Sequence, residues 1–371
     1  MKYLLYLTFS MVFLSMYSCN KKQDANKPFE LNTHTLTLKP GDTATLTLLK
    51  NIPFDYELKW GISDKNVINE YSVDSISYSF TAENEGKSTI YIKIPELNEV
   101  DSCVVTVGKS NLVRILAIGN SFSEDALEEH LYNLASASNK QIMIGNLYIG
   151  GSSLSDHIQN VRGNLPNYSY RKIEINGIKI TTEKTSIYEA LNDEYWDYIS
   201  FQQVSYEGGI YSTFEKLLPE LYDYVSKNNP YYNTKYLLHQ TWAYGPKSNH
   251  QGFKRYDNDQ VKMYEALVSS YDKAKKLIPI YRVIPSGTAI QNARNTSLGN
   301  DLTRDGYHLS LDKGRYIASC TWFEALFRTK IESNTYRITS MTENEIAISK
   351  WAAHAAIIQP LKVTKKQNSP F

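Results

Sequence analysis

Two short segments of this 371-residue chain hold residue types from which a nucleophilic hydrolase can be built. Asp305-Gly306-Tyr307-His308 places a carboxylate and an imidazole three residues apart, and Gly119-Asn120-Ser121-Phe122-Ser123, far upstream, offers a hydroxyl. A serine hydroxyl attacks only when a base takes its proton, and the base works when an anion holds its other ring nitrogen and stabilises the imidazolium. Ser121, His308 and Asp305 are the candidates for these three roles. Each residue alone has a plainer reading. Ser121-Phe122-Ser123-Glu124 matches a helix capping box, and Asp305 with His308 fits a solvated loop pair. Together, and in this order on a parallel sheet, they point to catalysis. Their separation means that the fold must bring them together.

The elements that would do so are legible from Leu112 onward. Val113 to Ile118 is an apolar run closed by Gly119, as expected of a strand buried on both faces. Further strands are expected at Gln141–Tyr148, Tyr198–Phe201, Lys235–Gln240 and Tyr281–Ile284. Helical segments separate them at Asp125–Ala137, Phe214–Lys227, Tyr256–Leu277 and Asp312–Phe327. Alternating strands and helices imply a parallel sheet covered on both sides. Asn176-Gly177, between alternating runs over Arg171–Thr182, signals a hairpin inserted at the rim. Ligands of such sheets bind beyond the carboxyl ends of the strands, where Ser121 falls.

Upstream, Pro28 to Gly108 shows short alternating runs broken by Gly, Pro and Asp turns, the pattern of a β-sandwich. "LTLKPGDTATLTL", "LKWGISDKNVI", "FTAENEGKSTIYIKI" and "SCVVTV" resemble bacterial immunoglobulin-like domains of group 2. No catalytic constellation lies there, and a spacer role is expected. Lys2, an apolar run from Tyr3 to Tyr17 too short for a comfortable membrane span, and Ser18-Cys19 read as an export signal. The small residue before Cys19 resembles a bacterial lipobox, which implies lipidation of Cys19. The expected organisation is a signal over 1–18, a tether over 19–27, the sandwich over 28–108, the hydrolase-like domain over 110–360 and a tail over 361–371. Cys103 and Cys320 fall in different domains, so two buried thiols are expected rather than a disulfide, and no cysteines have zinc spacing.

The domain from Leu112 to Gln359 resembles the SGNH (GDSL-type) hydrolases, esterases and acetylhydrolases with a flavodoxin-like three-layer α/β/α parallel sheet. Gly119 to Ser123 matches the first block of that family and Asp305 to His308 the last, with the D-x-x-H spacing intact. Asn146-Leu-Tyr-Ile-Gly-Gly151 resembles the second block, which implies an oxyanion donor at the Gly151 amide. The closest resemblance is to an exported Bacteroidetes branch, the DUF4886 domain of unknown function. Two departures stand out. Asn120 replaces the usual aspartate of the first block. The third block, a Gly-x-Asn-Asp sequence whose asparagine donates to the oxyanion, is absent. Phe201-Gln202-Gln203-Val204-Ser205 stands there instead. A glutamine amide carries the same NH2 donor on a longer stem, so Gln203 is expected to replace the asparagine, with Gln202 as the fallback. The Ser121 amide completes the expected oxyanion set. His239, Trp242 and Tyr244 follow the fourth strand and could contact substrate, the aromatic pair by stacking on a sugar. His157 is expected to be a surface or packing residue.

The 40 basic and 39 acidic residues leave a net charge of +1, which gives no field for nucleic acid or an anionic membrane. The 29 tyrosines suit sugar surfaces and equally suit core filling. The expectation is an exported serine esterase removing acyl groups, most simply acetyl, from glycans. It needs no cofactor or metal and touches the membrane only through its lipid anchor. An acylglycerol lipase and a glycan-binding lipoprotein with a degenerate hydrolase fold are the alternatives.

Overall fold

The computed structural model describes residues 29–49, 56–108, 112–230 and 234–366. The expected export signal, Cys19 and the tether lie outside the described residues.

Seven strands make up the described part of the first region: β1 (Thr35–Leu38), β2 (Thr43–Thr47), β3 (Lys59–Ile62), β4 (Ile68–Val73), β5 (Ser77–Ala82), β6 (Gly86–Ile94) and β7 (Glu99–Val107). They form a four-stranded sheet ordered β1-β7-β6-β3 and a three-stranded sheet ordered β2-β5-β4. Alternation along β5, β6 and β7 turns one face inward. Ile90, Ile92, Ile94, Cys103 and Val105 from one sheet share a core with Leu46, Ile68, Tyr78 and Phe80 from the other. β4 has no such alternation, since beyond Ile68 it is exposed.

The second region is a mixed α/β body. Its elements in chain order are β8 (Leu112–Gly119), α1 (Ser121–Leu127), α2 (Leu131–Ser136), β9 (Gln141–Tyr148), α3 (Leu154–Gly163), β10 (Tyr168–Ile173), β11 (Lys179–Thr185), α4 (Ile187–Asp193), β12 (Tyr198–Phe201), α5 (Leu217–Asn228), β13 (Lys235–His239), α6 (Gln260–Ala274), β14 (Ile280–Ile284), α7 (Ser286–Arg294), α8 (Lys313–Phe327) and α9 (Glu343–Ile358). The sheet order is β11-β10-β9-β8-β12-β13-β14. Five consecutive members, β9-β8-β12-β13-β14, running to the β14 edge, are parallel. This is the flavodoxin-like order, in which the chain changes direction across the sheet between β8 and β12 and opens a crevice at that point. The hairpin forms around Asn176-Gly177, but it extends the sheet, since β10 pairs antiparallel with β9.

The expected helix over Asp125–Ala137 is two helices. Between them Glu128 turns to Asn146 Nδ2, which donates to it at 2.6 Å, and His130 is buried against Tyr316 and Tyr336. α8 is buried nearly all round, from Gly314 to Leu326, and packs between the sheet and α9. Cys103 and Cys320 are buried free thiols. Among the described residues no helix is long and apolar enough to cross a membrane.

Candidate active site

Ser121 sits where β8 ends and α1 begins. The N-cap of α1 is Asn120, whose Oδ1 accepts from the Phe122 amide at 3.0 Å and from Gln202 Nε2 at 2.8 Å, while its Nδ2 donates to the Ser152 carbonyl at 2.9 Å. Asn120 therefore takes the capping duty that the capping-box pattern placed on Ser121. The Ser121 hydroxyl is left to face the cleft. Ser123 completes the turn, its hydroxyl donating to the Asn120 carbonyl at 2.7 Å and to Asn146 Oδ1 at 2.9 Å.

Opposite it, the loop from Thr303 to Leu309 is closed on itself. Thr303 bridges Leu309, and the Arg304 amide donates to the His308 carbonyl at 3.0 Å. Within this loop Asp305 Oδ1 accepts from the amides of Tyr307 (3.0 Å) and His308 (2.7 Å), which makes an Asx turn. Gly306 in that turn has φ +89°, and a side chain there would meet Ser248 Cα at 2.9 Å. Asp305 Oδ2 lies 2.6 Å from His308 Nδ1, and His308 Nε2 lies 2.8 Å from Ser121 Oγ. With Nδ1 holding the proton toward the carboxylate, Nε2 is the acceptor for the serine hydroxyl. Partial burial works to raise the Asp305 carboxyl. The His308 ring, the two amides and the His308 charge outweigh it and hold Asp305 below the usual carboxylate range.

A second carboxylate fixes the two halves relative to one another. Asp125, one turn after Ser121 on α1, is fully buried. It accepts from the Leu309 amide at 2.8 Å, from Arg315 Nε at 2.8 Å and from Arg304 Nη1 at 3.0 Å. The residue after His308 is thus anchored to the helix that carries Ser121.

The cleft has a volume of about 310 Å³. Besides Ser121 and His308, it is lined by Tyr148, Gly150 and Gly151, by Val204 to Tyr206, and by His250 and Tyr307. The Gly150-Gly151 turn is tied to the serine turn, because the Ile149 amide donates to the Gly119 carbonyl and Ser152 is held by Asn120. Gly151 has φ +68°, a conformation that favours glycine. The amides of Ser121 and Gly151 have no hydrogen-bond partner among the described residues.

Five residues expected at the site fall elsewhere. Gln203 is fully buried and outside the cleft: its Oε1 accepts from the Leu154 and Val204 amides at 2.9 Å each, and its Nε2 donates to the Thr213 carbonyl. The assignment of Gln203 as an oxyanion donor is corrected accordingly. It anchors the start of α3. Gln202, its fallback, is also engaged. Its Nε2 bonds Asn120, and its Oε1 lies 2.9 Å from His239 Nδ1. His239 itself is buried, and burial pushes it down to about 3, so it is a neutral packing residue. Trp242 is wholly buried, stacks on Phe122 at 4.4 Å and donates its indole N–H to the Tyr307 carbonyl at 2.8 Å. Tyr244 is buried too, with its hydroxyl 2.7 Å from Ser205 Oγ. Neither aromatic can stack on a ligand; both support the cleft from behind. His157 packs at 2.7 Å from the Tyr168 hydroxyl.

Sequence reading missed Asp125, Tyr148, Tyr206 and His250. The one missed signal was the GNSFSED run, which puts Asp125 a turn beyond Ser121. Among the described residues, Glu324, Glu332 and His354 have ligand atoms within 4.8 Å of one another. That group lies on α8, α9 and the turn between them. His354 Nδ1 and Glu324 Oε1 already pair at 2.6 Å.

A family model described as domain of unknown function DUF4886 matches residues 114–356. The crystal structure of a DUF4886 family protein from Bacteroides uniformis ATCC 8492 is 48% identical, with a TM-score of 0.67 over 68% of this chain and 98% of that chain. Two further structures are more distant. TesA is 11% identical (TM-score 0.36, 58% of this chain, 96% of that chain). A catalytic mutant of an acetylxylan esterase from Geobacillus stearothermophilus is 12% identical (TM-score 0.37, 58% of this chain, 93% of that chain). No curated protein matches the chain significantly. The matched residues include Ser121, Gly151 and the Asp305–His308 loop, and on the family match and the 48% identity this chain belongs to the DUF4886 family.

Proposed function

We propose that the chain is a serine esterase of the SGNH type that removes acyl groups from glycans. The observation that carries this reading is the unbroken line Asp305 Oδ2–His308 Nδ1, His308 Nε2–Ser121 Oγ, at 2.6 and 2.8 Å, ending in an open cleft. Ser121 Oγ attacks the ester carbonyl carbon as His308 Nε2 takes its proton. Asp305 keeps the ring oriented and stabilises the imidazolium. The oxyanion that develops faces the Ser121 and Gly151 amides, donors that need no reorganisation as charge appears. On collapse, His308 returns the proton to the leaving alcohol and the acyl group stays on Ser121. Water, deprotonated by His308, then releases the acid. In this reading Cys19 carries a lipid anchor on an exported protein, and the N-terminal sandwich is an immunoglobulin-like spacer.

Incubation with 4-nitrophenyl acetate tests the chemistry. The expected result is a burst of nitrophenol and an acetyl adduct on the peptide bearing Ser121; the absence of both turnover and adduct defeats the proposal. A second reading, glycan binding without turnover, is favoured by one fact: both glutamines after β12 are spent on internal bonds. It predicts retention of acetylated glycans with no adduct.

A further inference from the structure

The esterase reading leaves open what the cleft recognises on the alcohol side of the ester, and His250 has the geometry to answer. It lies in the loop after β13 and lines the cleft with Ser121 and His308. Its Nδ1 accepts from the Gly252 amide at 3.0 Å. In the neutral ring that acceptor bond fixes the tautomer, so the proton is on Nε2. Nε2–H has no partner among the described residues. Burial, and then the neighbouring His308, push His250 below its ordinary range, consistent with a neutral ring.

The ring is held rigidly. It stacks on Tyr206 (5.8 Å, 24° between planes) and meets Tyr307 and Tyr244 edge-on at 4.9 and 5.0 Å. Tyr307 in turn packs on His308 at 4.2 Å. The base that returns a proton to the leaving oxygen must face that oxygen, so groups stacked beside His308 border the alcohol portion of the ester rather than its oxyanion. On the esterase reading the oxyanion side is marked by the unpartnered Gly151 amide. His250 therefore offers one oriented N–H donor, beside the rings of Tyr206 and Tyr307, to the alcohol moiety.

Resting on the esterase reading, we infer that His250 is the specificity-determining residue for a polyhydroxylated alcohol: its Nε2–H donates to a hydroxyl or ring oxygen of a sugar whose acyl group is presented to Ser121. A site that hydrogen-bonds a substrate oxygen discriminates against the analogue lacking it, because its own polar group is left unpaired.

The test compares kcat/KM for a monoacetylated methyl xyloside and for cyclohexyl acetate, an alcohol of similar size without hydroxyls. Wild type is expected to prefer the sugar ester. His250→Phe keeps a ring and loses the donor, and the preference is expected to fall by about 10- to 30-fold. His250→Gln keeps an N–H donor and is expected to return it to within about threefold of wild type. An unmoved ratio in His250→Phe, or a wild type with no preference, overturns the inference. A second measurement needs no variant: in wild type labelled with ¹⁵N-histidine, the His250 Nε2 resonance is expected to shift on addition of methyl xyloside, and a static resonance overturns the inference. Fluorophosphonate labelling of wild type separates the two failures. Labelled protein with an unmoved ratio sinks the role of His250 alone, whereas unlabelled protein sinks the esterase reading and this inference with it.

Discussion

Two serine–histidine pairs, linked through Gln202, which bonds Asn120 beside one and His239 of the other, are alike in spacing and differ in nearly everything else. His308 Nε2 sits 2.8 Å from Ser121 Oγ, and His239 Nε2 sits 3.1 Å from Ser286 Oγ. On distance alone they are near equivalents. The other ring nitrogen separates them: His308 Nδ1 faces the Asp305 carboxylate at 2.6 Å, whereas His239 Nδ1 faces the amide oxygen of Gln202 at 2.9 Å. A neutral amide oxygen cannot compensate a developing imidazolium in the way an anion can. Access differs as well. Ser121 and His308 line an open cleft, while His239 and Ser286 are sealed in the core. Burial without a compensating charge holds His239 neutral. A serine beside a histidine is therefore not in itself a catalytic signal; the anion behind the ring and the opening in front of it are.

The comparison breaks most sharply under truncation of the two serines. Ser121→Ala is expected to lower esterase kcat/KM by about four to six orders of magnitude. Ser286→Ala is expected to change it by less than about threefold and to register instead as about 1–2 kcal/mol of lost stability in a urea titration. Next comes the anion. Asp305→Asn, which keeps the shape and removes the charge, is expected to lower kcat by about three to four orders of magnitude, read in the same steady-state assay. Third is the tie between the two halves. Asp125→Ala leaves Arg304 and Arg315 facing a void and is expected to cost about 3–5 kcal/mol in urea unfolding, with activity falling as Leu309 and His308 lose their anchor.

The smallest effect is a pH dependence that belongs to the buried pair. Folded His239 titrates at about 3, against 6.5 for an ordinary histidine. Between those values the unfolded chain binds a proton that the folded chain refuses. The stability contributed by a neutral His239 is therefore present above about pH 6.5 and is lost as pH falls from there toward 3. Thermal melts of His239→Gln and wild type across pH 7 to 4 should converge as pH falls, because only wild type carries this term. Parallel curves contradict a buried neutral ring.

Much of this was legible in the chain because the responsible residues act locally. β8 is apolar and buried from Ile115 to Ile118 because both its faces are covered there, and Asp305 and His308 are three apart because one Asx turn joins them. Other features depend on partners remote in sequence. Successive strand residues point to opposite sides, and nothing local said which of Gln202 and Gln203 would meet Asn120 and which would meet Leu154. Trp242 and Tyr244 follow a strand end, where ligand contact is a fair expectation, yet α1, Tyr307 and Ser205 enclose them. Asp125 reads as a surface helix residue until Arg304 and Arg315, about 180 positions later, arrive to neutralise it. α7 was missed because its buried residues include Ser286, Thr288, Gln291 and Asn292, which satisfy their polar groups internally and leave no apolar stripe to see.

On the esterase reading Ser121, and not Ser286, is an activated nucleophile. A fluorophosphonate probe applied to wild type, Ser121→Ala and Ser286→Ala, followed by mass mapping of the modified peptide, tests it most directly. Covalent label on the Ser121 peptide in wild type and Ser286→Ala, and none in Ser121→Ala, is the result predicted. Wild-type protein that stays unlabelled, or label that persists in Ser121→Ala, contradicts the account.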